Sequence, residues 1–477
     1  MSLFDAISTA RSGLIATQSA IDVASRNIAN ASVDGYTRKI QQQSARVVDG
    51  RAGAVKVEEV TRNVNEQLQR DVREQTSVVE ELTIVEDFLS RLELDFGRPE
   101  DNSSVASKVT ELKKAFQSLA TNPDQSTAQN DVISAAQELA LSLNNMSDAV
   151  QALRAEADQR IGDSVDAINE ALQNIDSLNG EIGARKTLGE STADLEDQRD
   201  VWLQKLSEQM DIKTFERPDG RLAVLTGDSQ FLIDQQAVTL SFTPSTTVSP
   251  GSAVNNIMLD NGYLAPFSIT NSFSDGKVAG LVQLRDTLLP LAQDQLDSLA
   301  FELAQQFDLI TVGANTANLD LFTDSTNTVP GASAGFSAQI QVRSTLAGAD
   351  LRDGIGGGTF VSSGASDSSL PLAIIDMFDT KQTFVAVTGL NSTSSTLEEF
   401  AAEFISYQAN QAADYESQLN FQDQIRSLLD ERLKDESGVN LDEELASLIQ
   451  LESAFAASAR VLSSVQQALD ELLNSVR

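Results

Sequence analysis

The chain has 477 residues, enough for two to four domains with real cores, and a formal net charge of -36 with no His and no Cys. So acidic a surface repels phosphate backbones and anionic lipid, which argues against nucleic-acid and peripheral membrane partners. Without His or Cys, disulfides and the Ser-His, Cys-His, His-zinc and thiolate chemistries are excluded, leaving only carboxylate, Lys, Tyr or Ser chemistry.

The opening MSLFDAISTARSGL lacks a basic stretch followed by an apolar core, so no Sec-type signal is expected. No run reaches 18 apolar residues, so no membrane insertion is expected either. Residues 3–31 read as a first helix, because Ile7, Leu14, Ile21 and Ile28 fall at sevens, each followed three residues later by Ala10, Thr17, Ala24 or Ala31. Asp34-Gly35 marks a turn, and Tyr36 begins an extended stretch to about residue 48. Asp49-Gly50 and Gly53 suggest a hairpin returning through 54–60.

A second helix is expected over about 62–96, with Leu68, Val72, Val79, Leu82, Leu89 and Phe96 on one face and Gly97 and Pro99 ending it. A third, about 103–120, stops before Asn122-Pro123. The fourth is the longest: from Val132 to Ile182 apolar residues alternate steps of four and three, about 75 Å of helix. Consecutive steps of four at Ala157, Ile161 and Val165 look like a stutter. A fifth, about 192–210, carries the only Trp, Trp202, expected in the core.

Residues 212–275 read as β-rich, with a hairpin at Pro218-Asp219-Gly220 and further turns at Asn261-Gly262 and Asp275-Gly276. Helix returns over about 277–310, kinked at Pro290. Residues 313–395 are rich in Gly, Ser, Thr and Asn, with short apolar runs (AQIQV, PLAII, TFVAV), and read as a small β-containing or loop-rich insert. Helix resumes over about 396–434 until SGVN (437–440) breaks it.

The last 37 residues form one apolar stripe, because Leu441, Leu448, Phe455, Leu462, Leu469 and Val476 recur every seven residues without Pro or Gly. Both chain ends are therefore coiled-coil-like seams, with small residues (Ala454, Ala456, Ala457, Ser458, Ala459) over much of the remaining surface. Such seams bury too little to order alone, so the ends are expected to pair with each other and then with neighbouring subunits. A helical hairpin packed on its own domain is the alternative.

The fold class is mainly α with β-rich insertions: a long antiparallel helical bundle built by the N- and C-terminal halves, with coiled-coil-like terminal helices. The division expected is 1–40 with 437–477 as a terminal coiled-coil domain; 41–211, 277–312 and 396–436 as a helical rod; 212–276 as its β-rich part; and 313–395 as an outer insert. Gly354-Ile355-Gly356-Gly357-Gly358 follows no clear strand and lacks a Lys-Ser/Thr pair, so it reads as a flexible loop and not a phosphate cradle. The acidic pairs Glu80-Glu81 and Glu398-Glu399 and the run Asp442-Glu443-Glu444 read as solvated faces or helix starts, the last behind an N-cap at Asn440. No catalytic constellation, cofactor or metal site is found.

NIANASVDGYTRK (27–39), with Asn27, Asn30, Gly35, Tyr36 and Arg38, resembles the N-terminal signature of the flagellar rod, hook and hook-associated axial proteins. SGVNLDEELASLIQLESAFAASARVLSSVQQALDELL (437–473) resembles their C-terminal signature. With DLEDQRDVWLQKLSEQMDI and GLVQLRDTLLPLAQDQLDSLAFELAQQFD, the resemblance points to the hook-associated, junction-forming members. Val33 and Asp34 stand where the family usually has Thr and Pro. The resemblance implies a structural protein and not an enzyme, one that leaves the bacterium through flagellar type III secretion without a cleaved signal. It implies assembly with itself as a ring, contact with the hook protein and a second hook-filament junction protein, and an export chaperone on the C-terminal helix. No small-molecule substrate is implied. Competing readings are a hook or distal rod subunit, a carboxylate-based wall hydrolase, and an extracellular coiled-coil adhesin.

Overall fold

The computed structural model describes residues 3–48, 51–97, 104–391 and 394–475. Eleven α-helices and twelve strands are described, in an architecture 61% helical. Helix α1 (Leu3–Asn30) leads through a turn into the antiparallel hairpin β1 (Lys39–Val48) and β2 (Arg51–Arg62), with Lys39 opposite Arg62. The Asp49-Gly50 turn and Pro99 lie outside the described residues.

Helix α2 (Glu66–Phe96) starts where the Asn65 side chain accepts from the Leu68 amide and stops at Gly97, whose φ of 77° no β-carbon-bearing residue adopts cheaply. Its expected stripe, Leu68, Val72, Val79, Leu82, Leu89 and Phe96, is buried throughout. Helix α3 (Val105–Thr121) is capped by Ser104. Helix α4 (Ser126–Leu188) has 63 residues, about 95 Å of unbroken rod. Every stripe position from Val132 to Ile182 is buried, including Ala157, Ile161 and Val165 at the stutter. Helix α5 (Ala193–Gln209) packs back on α4 and α2. Trp202 differs from expectation: it is half-buried, at the edge of the core, with the Lys205 ammonium 4.0 Å above its ring.

The β-rich block forms two three-stranded antiparallel sheets, β3 (Ile212–Glu216), β4 (Leu222–Thr226) and β5 (Phe231–Ile233), then β6 (Thr239–Ser241), β7 (Met258–Asp260) and β8 (Phe267–Ser268). Both are pinned to α4 by amides. Asn179 donates to the Leu222 carbonyl and accepts from its N–H, at 2.8 and 3.0 Å; Asn169 does the same at Leu240.

After α6 (Lys277–Gln283) the helix widens into a π turn over Leu284–Leu288 before α7 (Leu289–Asp308). The break is therefore a π turn just ahead of Pro290, which sits in the first turn of α7, where its missing N–H costs nothing. Arg285 projects from that turn into the core. Fully buried, it donates to Asp158 of α4 at 2.8 Å and to the Asn255 carbonyl at 3.0 Å.

Residues 310–391 and 394–395 lie on the helical body. They hold β9 (Ile310–Val312) paired with β10 (Asn315–Ala317), β11 (Phe322–Thr323) with β12 (Gln341–Val342), the short α8 (Asp350–Asp353) and α9 (Ser369–Asp379). PLAII is thus helical, because Leu370, Ile374 and Phe378 supply an i, i+4, i+8 face that a five-residue run conceals. TFVAV forms no strand; its Phe384 stacks on Phe400 with ring centroids 4.0 Å apart. Phe307 gathers Phe116, Phe322 and Phe378 at 5.5 to 6.0 Å, joining α3, α7 and α9. The glycine loop fits against 316–318: a β-carbon on Gly358 would stand 2.1 Å from the Thr316 carbonyl oxygen.

Helix α10 (Leu397–Ser437) begins with a complete capping box, Thr396 and Glu399, and runs beside α2, with Phe404 against Phe96 at 5.2 Å. After Gly438, α11 (Leu441–Ser475) starts behind Asn440, whose side chain accepts from the Asp442 and Glu443 amides, and then lies along α1.

Candidate functional site: the hub where the terminal helices leave the body

Between α1, β1, α5 and the start of α11 lies a polar hub built on the 27–39 motif. Asn27, only 1% exposed, fills all its hydrogen-bonding capacity. It donates to the Lys39 carbonyl at 3.0 Å and to Glu444 at 3.1 Å, and accepts from the Lys39 amide at 3.0 Å and the Tyr36 hydroxyl at 2.9 Å. Glu444 also accepts from Arg38 Nε at 2.7 Å, and the Arg38 amide donates to the Ser437 carbonyl at 2.9 Å. Two segments about 400 residues apart are thereby tied at one point.

Further charged groups fix this knot to α5. Asp197 accepts from the Thr37 amide and hydroxyl at 3.1 and 2.7 Å and pairs with the Lys39 ammonium. Arg62, from the far end of the hairpin, reaches Glu196 at 2.8 Å and Asp200 at 2.6 Å. Burial pushes the Lys39 ammonium below its ordinary range against the pull of Asp197 and Asp194. Burial first, and then Asp194 and Asp197, push the Tyr36 phenol up to about 12, so it stays a donor. Gly35 is required twice: its φ is +77°, and a β-carbon there would stand 2.4 Å from Val201 Cγ2. The Asn30 side chain donates within its own helix, to the Arg26 carbonyl at 2.8 Å, and its backbone carbonyl accepts from the Val33 amide at 2.9 Å.

Glu444 departs from expectation. Its place in the first turn behind Asn440 suggested a solvated helix start, yet it is 3% exposed and is the acceptor that holds α11. The anion in a helix first turn is favourable on both grounds. Asp197 and Lys39 of the hub were not foreseen, since an acid in an acid-rich helix and a Lys in a strand carry no signal of burial.

The terminal stripe has another character. Ile7, Leu14, Ile21, Ile28, Leu448, Phe455, Leu462 and Leu469 are only half-buried, and Leu441 is exposed. Val476 lies outside the described residues. Leu14 and Phe455 line one open groove between α1 and α11, and Gly13 lies against Ser458. Ile15, Leu445, Ile449 and Val461 are about half exposed or more. An 18-residue window within 397–471 reaches a mean hydropathy of 1.2, long and apolar enough to cross a membrane by composition alone. Its apolar residues fall on stripes separated by Gln450, Glu452, Ser458 and Arg460, whereas a lipid-facing helix is apolar all round.

Three family models match in chain order: the flagella basal body rod protein over 7–37, the flagellar hook-associated protein FlgK helical domain over 89–322, and the C-terminal part of the flagellar basal body rod FlgEFG proteins over 435–475. The chain is similar to the flagellar hook-associated proteins along most of its length. Flagellar hook-associated protein 1 of Bacillus subtilis is 25% identical across 100% of this chain and 99% of the relative. That of Escherichia coli is 26% identical across 67% of this chain and 59% of the relative. The flagellar hook junction protein FlgK from Burkholderia pseudomallei shares the fold, with a TM-score of 0.61 at 14% identity over 76% of this chain and 99% of that one. These matches support a structural component of the bacterial flagellum. The two terminal models cover the two segments that meet in the hub and the helices that run from it.

Proposed function

We infer that the chain is a hook-filament junction protein, which polymerises on the hook tip as a ring and couples the hook to the filament without catalysing a reaction. The observation that carries this is the contrast between a body whose apolar stripes are closed and a terminal helix pair whose stripe is half-open along its length. An apolar face of that extent is an interaction surface. The packing residues are Ile7, Leu14, Ile21, Ile28, Leu441, Leu448, Phe455, Leu462, Leu469 and Val476, facing the same residues of neighbouring copies in an inner tube. Residues 1–40 with 437–477 act as the assembly unit, and the rod, its β-rich part and the 313–395 insert face outward.

The hook protein and a second junction protein are the axial neighbours, and an export chaperone covers α11 before assembly. Secretion through the flagellar type III channel without a cleaved signal suits a Cys-free chain, since no disulfide must form on arrival. Counting copies per isolated flagellum tests the reading. One ring of copies at the hook-filament joint is expected, whereas staining along the whole hook or the distal rod would make the chain a hook or rod subunit.

A further inference from the structure

Beside the hub lies a cavity of about 480 Å³, bounded by Gly35 of the motif loop, Val72 and Arg73 of α2, Val201 of α5, and Leu433 and Lys434 at the end of α10. Arg73 is 8% exposed and lines this cavity. Among the described residues its guanidinium has neither a hydrogen-bond nor an ion-pair partner. Its buried neighbours differ: Arg62 is held by Glu196 and Asp200, and Arg199 by Asn179 at 3.1 Å and the Gly220 carbonyl at 3.0 Å. Asp200, the carboxylate acting most on Arg73, is already engaged by Arg62 and by Gln69 at 3.2 Å. A guanidinium has five donors and no acceptor, and it is costly to bury without one. Burial accordingly drags this arginine below its ordinary range. Its nitrogens are not sealed in the core but border the cavity, so an acceptor entering there can pair with them.

We propose that this cavity receives the carboxylate of an Asp or Glu side chain from a second copy of this chain, which pairs with Arg73 as subunits assemble. The proposal rests on the assembly reading above. A second copy is the favoured source because 70 of its residues are acidic against 34 basic, and because the cavity adjoins the end of α10, where the half-open terminal helices leave the body. Planar guanidinium and carboxylate match at two points, which fixes orientation as well as contact. Asp34, Glu208 and Asp430 also line the wall and repel an incoming acid, so attraction is confined to the arginine end.

The test compares full-length Arg73→Met and Arg73→Lys with the wild type. The Met variant should melt at or above the wild-type temperature, because it removes an unpaired buried charge, and yet enter flagella at least tenfold less; the Lys variant should recover only part. A purely structural arginine predicts the reverse, a less stable monomer. Carbodiimide treatment of isolated flagella joins amines to carboxylates in contact, and should link Lys434 or Lys205 at the cavity wall to an acid of another copy, a link missing from the monomer. Wild-type incorporation of Arg73→Met, no intermolecular link at either lysine, or a link to a different protein each overturns the proposal. So does an acetate-dependent rise in the melting temperature of the wild-type monomer that Arg73→Met lacks, which would assign the cavity to a small free carboxylate. If the wild type itself is absent from flagella, the junction reading fails instead.

Discussion

Asn27→Ala isolates the hub, because the side chain makes four hydrogen bonds and nothing else in the fold replaces them. Truncation leaves the Lys39 amide and carbonyl and the Tyr36 hydroxyl without that partner. Each buried orphan costs roughly 1–3 kcal/mol, and Tyr36, half-buried, sits at the low end, giving about 3–6 kcal/mol in all. The loss is local, since the core around Phe307 and Phe88 lies elsewhere. At about 1.4 kcal/mol per decade, amide exchange in β1 near Lys39 and in the first turns of α11 should quicken by roughly a hundredfold to ten-thousandfold. Amides of α4 should keep their wild-type rates. Unchanged exchange at residues 441–448 would show that α11 is held by something other than the Asn27–Glu444 link, and the reasoning would fail.

The double substitution Leu462→Asp with Leu469→Asp should leave the body folded, as read by an unchanged near-ultraviolet spectrum around Trp202, while abolishing incorporation; normal filaments would refute it. Gly35→Ala should destabilise the hub by about 2–5 kcal/mol, from the left-handed φ and the Val201 overlap, and adding Val201→Ala should return the overlap part, measured by protease cleavage near residue 35. Glu81 is pushed up to about 7 by burial and by Asp275, so the folded state binds a proton that the unfolded state releases near its ordinary value of 4.5. Stability from this group is therefore present below about pH 4.5 and falls as pH rises to about 7. Glu81→Gln should flatten that slope and stabilise the protein at pH 8 by about 2 kcal/mol, allowing for partial exposure; urea midpoints at pH 5 and pH 8 check this, and an equal gain at both would refute it.

How much could be read beforehand depended on how far a signal extends along the chain. The stripe from Val132 to Ile182 repeats often enough to name α4 and its buried face residue by residue. Proline and glycine marked the β3–β4 hairpin and the end of α2 because their backbones admit few alternatives. PLAII in α9 was hidden because a helical face needs more than one turn to show, and the π turn at Leu284–Leu288 has no composition of its own. At the hub, the 27–39 segment was legible only as a resemblance. Physical reasoning on sequence could not single out Glu444 among three adjacent acids, since its burial is decided by Asn27 and Arg38, brought to it by the fold.

The two ways of holding α11 suggest a division of labour. An apolar seam is non-directional: Leu14 against Phe455 is nearly as favourable after a small rotation or slide of one helix on the other. Hydrogen bonds weaken steeply when bent, so the Asn27–Glu444–Arg38 set fixes where α11 starts and the angle at which it leaves the body. A subunit that must join copies at one angle needs that directional contact within itself, and it needs its apolar surface for the neighbours. Burying the stripe completely inside one chain would have removed the drive to assemble. Leaving the hub apolar would have let the helix pair swing. The half-buried stripe and the saturated amide are thus two parts of one solution, and a variant that closes the stripe, such as Ser458→Leu beside Gly13, should raise monomer stability while lowering incorporation.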